Sequence, residues 1–110
     1  MYSLNDMQLD ALQQFLTLVN TADVELDETF STGRMSDAKS AVFAVKTAAE
    51  TLDLPDELAR QLKQMAQDSW RGATGAEDVY GRAGNAIRAI GHIQTLIHSV
   101  LDANLQKKHE

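Results

Sequence analysis

Arg88, His92 and His98 are the residues best suited to acid–base or ligand chemistry in this chain. Arg88 and His92 are four positions apart, as are His98 and Asp102, so on a helix each pair shares a face. That grouping would suit a small helical enzyme or ligand carrier working from one side of a helix. The two histidines, however, lie six positions apart, which is roughly 600° round a helix, so they do not converge on a metal. Ordinary surface histidines are the better reading, and no catalytic, cofactor-binding or metal-binding residue is assigned. The chain carries no phosphate-binding glycine loop, no H-E-x-x-H zinc motif and no G-x-S-x-G nucleophile turn. It also has no cysteine, which removes disulfides, thiol nucleophiles and thiolate zinc sites.

Charge is a stronger signal than motif. The first 33 residues hold Asp6, Asp10, Asp23, Glu25, Asp27 and Glu28 and no lysine or arginine, while the rest of the chain balances to zero. The formal charge of −6 therefore belongs to one N-terminal segment. Four of its acids crowd into residues 23–28, without the glycine and spaced oxygens of a calcium loop. Such a field repels phosphate and attracts basic surfaces. Direct nucleic-acid binding is not expected, because the basic residues are scattered and form no stripe. No run of apolar residues is long enough to cross a membrane. With no cysteine and no basic stretch leading into an apolar run, the expected location is cytoplasmic.

These residues must be held by helices, since no strand-like alternation appears. Aromatics make up 5% of the chain, so leucine, isoleucine, valine, methionine and alanine have to build the core. The first helix begins near Ser3 or Asn5 and carries Leu9, Leu12, Leu16 and Val19, then Leu26 and Phe30. Asp23 falls where an apolar residue is due, so a kink or short break is expected near residues 20–23. A second helix follows Ser36 with an alanine-rich face, and a third begins at Pro55 with acids in its first turn. In the fourth, Thr74-Gly75-Ala76-Glu77 matches a capping box, with Lys107 and Lys108 at the far end, where they suit the helix dipole. Gly81, Gly84 and Gly91 within it suggest close approach of a neighbouring backbone.

The expected architecture is all-α: about four helices in an up-down bundle, with long first and last helices and a short central helical hairpin. The last helix would run roughly 47 Å and the central ones about 25 Å each. On that estimate the hairpin leaves the end of the last helix uncovered, and Ile90, Ile93, Ile97, Val100 and Leu101 become the surface of a homodimer. The partner-binding candidates are Asp23, Glu25, Asp27, Glu28 and Trp70, the one tryptophan, at the end of the third helix.

The function expected from these features is non-enzymatic. It is a regulatory protein-binding module that sequesters or inhibits a partner, such as a transcription regulator or another basic nucleic-acid-binding protein. The alternatives are a structural self-assembling subunit, and an enzyme or carrier built on Arg88, His92 and His98.

Overall fold

Asn5 starts the first helix by an exchange of hydrogen bonds with Gln8. The Asn5 side chain accepts from the Gln8 N–H at 2.8 Å, and the Gln8 side chain accepts from the Asn5 N–H at 3.0 Å. From there the computed structural model, which describes residues 2–108 with side chains through Gln106, forms four helices and no strand among the described residues. They are α1 (Asp6–Thr32), α2 (Ser36–Ala49), α3 (Asp56–Ala73) and α4 (Val79–Lys108). Each packs on its neighbours along the chain, and α1 also packs on α4, so the four enclose one core. The side chains of Lys107 and Lys108, expected to complement the end of α4, lie outside the described residues.

α1 is continuous, without the break expected near Asp23. Ala22 and Leu26 take the buried positions, and Asp23 sits at the seam with α4. There the Gln94 amide donates to Asn20 Oδ1 at 3.0 Å and to the Asp23 carboxylate at 3.4 Å. A polar residue at a seam position is tolerated because the facing helix supplies a polar partner. The helix ends at Gly33, whose φ of +69° is the left-handed conformation that favours glycine. The buried Thr29 hydroxyl fastens this turn, lying 3.0 Å from the Arg34 carbonyl oxygen and 3.1 Å from that of Glu25.

The start of α4 also differs from expectation. Thr74 does not cap the helix that follows. Its hydroxyl donates to the Trp70 carbonyl at 2.7 Å and so closes α3 instead. α4 begins at Val79, where the Asp78 carboxylate accepts from the Gly81 N–H at 2.8 Å. Nor are Gly84 and Gly91 points of close approach, since a methyl placed on either would meet nothing within 4 Å. The glycine that admits a neighbouring backbone is Gly72 of α3, where a methyl would lie 2.8 Å from the Ala86 nitrogen.

The expected exposed stripe of α4 is interior. Ile90, Ile93, Ile97 and Val100 are all 0% exposed within a single chain, and Leu101 is half-buried. The reason is the length of α1. Its 27 uninterrupted residues extend about 40 Å, enough to line α4 where the short α2–α3 pair cannot. Burying each of these aliphatic side chains contributes about 1.5–3 kcal/mol, which here is realised inside one copy.

Candidate functional site

Six residues of this chain are aromatic, and only Phe15 among them is buried. Tyr2 and Trp70 are partly covered, while Phe30, Phe43 and Tyr80 are 43%, 50% and 53% exposed. Large apolar rings left wet are informative because they forgo the burial that the aliphatic core achieves.

Two of these rings form a built feature. Phe43 of α2 meets Trp70 of α3 edge-on, with centroids 5.2 Å apart and planes at 64°, an arrangement favoured by ring quadrupoles. The Lys46 ammonium sits 5.9 Å from the Phe43 centroid and also pairs with Glu50 at 3.1 Å. Beside the rings lies a shallow groove of about 380 Å³, walled by Ser36, Lys39 and Ser40. Helical spacing explains the placement. Val42, Val45 and Ala49 point into the core, and Phe43 follows Val42 by about 100° of turn, toward α3 and the surface. Trp70 stands next to the buried Ser69 in the last turn of α3 and is turned partly outward in the same way.

Phe30 and Tyr80 stand at the ends of α1 and α4. The Tyr80 hydroxyl oxygen would be 3.3 Å from a methyl on Gly33, so the α1–α2 and α3–α4 turns lie side by side. The acidic run occupies the last turns of α1 at this same end. Its four carboxylates do not share one face: Asp23 is turned to Gln94 of α4, Glu25 is half-buried, and Asp27 and Glu28 are exposed. Among the described residues the ion pairs lie within α2 and within α3, and none involves residues 23–28. No described ion pair offsets their charge.

The histidine side of α4 does not form one site. His92 lines a groove against α3 with Met65 and Asp68, His98 lines a cleft against α1, and the exposed Arg88 lines neither. No group of three or more histidine and acid residues among those described is arranged to hold a metal ion. No described helix is long and apolar enough to cross a membrane.

Of the expected site residues, Asp27 and Glu28 are exposed, and Trp70, Asp23 and Glu25 are partly so. The expected pairing surface on α4 is not accessible apart from Leu101. Phe43 and Tyr80 were not singled out from the sequence, and Phe30, expected on the apolar stripe of α1, is exposed because Thr29 takes the buried position beside it. For Phe43 the usable signal was its position one step off the apolar stripe of α2. Comparison with protein-family models, curated proteins and solved structures finds no match to this chain.

Proposed function

We propose that this chain is a non-enzymatic regulatory protein-binding module, an up-down four-helix bundle acting in the cytoplasm to sequester or inhibit a partner protein. The observation that carries this reading is the Phe43–Trp70 pair, half open to solvent beside a groove, in a chain whose aliphatic core is otherwise complete. Aromatic residues are enriched at protein interfaces, and tryptophan is among those most enriched at their energetic centres. The acids of residues 23–28 favour a basic partner, such as a transcription regulator or another nucleic-acid-binding protein, and would meet it along α1 rather than at the groove, whose own charged wall residue is Lys39. They act mainly on encounter rate and on rejection of wrong partners.

A second copy is the competing occupant of the same aromatic surface. The homodimer reading moves there from α4, because the α4 stripe is already covered. The deciding experiment is parallel affinity capture with wild-type and Phe43→Ala baits. A basic protein retained by the first and lost from the second supports the reading. Identical capture by both baits removes the aromatic pair from it.

A further inference from the structure

Phe43 stands at the middle of the outward face of α2, and that face is complementary to itself. Ser36, Ser40, Phe43, Thr47 and Glu50 recur at alternating four- and three-residue steps, the spacing of one helix face, and all are exposed. Ser36 and Glu50 lie seven positions to either side of Phe43, so a two-fold axis at Phe43 sets the start of this face against its own end. Lys39 flanks the starting end and enters no ion pair among the described residues. Glu50, at the other end, holds Lys46 through one carboxylate oxygen, Oε1. An antiparallel second copy therefore brings Glu50 toward Lys39 on both sides of the axis.

Charge also selects the face on which two copies can meet. α1 carries six acids and no base, so copies repel along it. On α2 and its C-cap, Lys39 and Lys46 balance Asp37 and Glu50. The groove of about 380 Å³ beside the rings is walled by Ser36 and Ser40, short side chains that let a second helix approach.

We propose that two copies pair antiparallel through α2, each Phe43 ring entering the groove of the other, and that this pairing masks the aromatic surface. The inference rests on reading that surface as a docking site and adds its regulation. The groove opens as the chain is diluted, and any other protein has to displace a copy to reach it. Covering two half-exposed rings supplies the attraction. The Lys39–Glu50 contacts add less and fix the antiparallel register.

Sedimentation equilibrium of the purified chain tests this without any partner. The apparent mass should rise from one copy toward two as loading is raised to about 1 mM. Phe43→Ala should weaken the pairing about tenfold or more. Lys39→Glu and Glu50→Lys, each at an exposed position and folded by circular dichroism, should each weaken it about fivefold. The double variant puts opposite charges back across the axis and should pair as wild type does. The Lys46–Glu50 bridge is lost equally in Glu50→Lys and in the double variant, so the recovery reads the contact between copies. A chain that stays single at every loading overturns the masking, while capture of a partner by the open groove stands or falls separately. Pairing indifferent to Phe43→Ala, or a double variant as weak as the single ones, would overturn it by placing the second copy on another surface.

Discussion

Gly72 and Ala86 bring the backbones of α3 and α4 into direct contact, so close that a methyl on Gly72 would lie 2.8 Å from the Ala86 nitrogen. Backbone cannot move aside as a flexible side chain can. Gly72→Ala should therefore destabilise the protein by about 1–3 kcal/mol. Gly84→Ala and Gly91→Ala meet open space within a helix and should each stabilise by about 0.5–1 kcal/mol. Urea denaturation midpoints of the three variants check the contrast, and a harmless Gly72→Ala would mean the helices are not in such contact.

Burial of the α4 stripe within one chain predicts how its truncations behave. Ile93→Ala and Ile97→Ala should each cost about 2–5 kcal/mol, as cavity-forming substitutions do. Neither should change the oligomeric state in sizing runs across a dilution series. A variant that keeps its stability but loses self-association would place those isoleucines between copies.

Asn104 answers a different question, whether the segment before α1 is tethered. Asn104→Ala leaves the Leu4 N–H and Tyr2 carbonyl without their partner and should cost about 1–3 kcal/mol. Hydrogen exchange at Leu4 should accelerate while exchange in the middle of α1 falls only with global stability. Unchanged exchange at Leu4 would show that the tether contributes nothing.

Much of the fold was legible in apolar spacing. Leu12, Val19 and Leu26 of α1 are buried as their repeat requires, whereas Phe30 on the same repeat is 43% exposed. Three features were not legible, each for a non-local reason. In the continuous α1, Asp23 is met at the seam by Gln94, 71 positions away. The start of α4 depends on which way the Thr74 hydroxyl turns, and it turns back to Trp70. Coverage of α4 follows from α1 being unbroken, so an expected kink at Asp23 became a wrongly expected exposed stripe. The candidate surface was half legible. Trp70 stood out by its type, but its partner Phe43 is brought to it only by the packing of α2 on α3.

Electrostatic steering by the acidic run has its own signature. Asp27→Lys with Glu28→Lys, both exposed, should slow association with a basic partner and flatten its dependence on salt, with little effect on dissociation. Stopped-flow association at several ionic strengths reads this directly. Rates indifferent to the substitutions would remove the run from recognition.

The account rests most heavily on the aromatic pair, so the decisive measurement is the affinity of a purified captured partner for wild-type protein and for Phe43→Ala. Phe43 is 50% exposed and packs on Trp70, so its loss should lower the thermal midpoint by several degrees while leaving the fold intact at the assay temperature. It should nevertheless weaken binding by about tenfold or more, the effect of losing an interface anchor. Equal affinity of the two proteins, with the fold intact, would contradict the central claim.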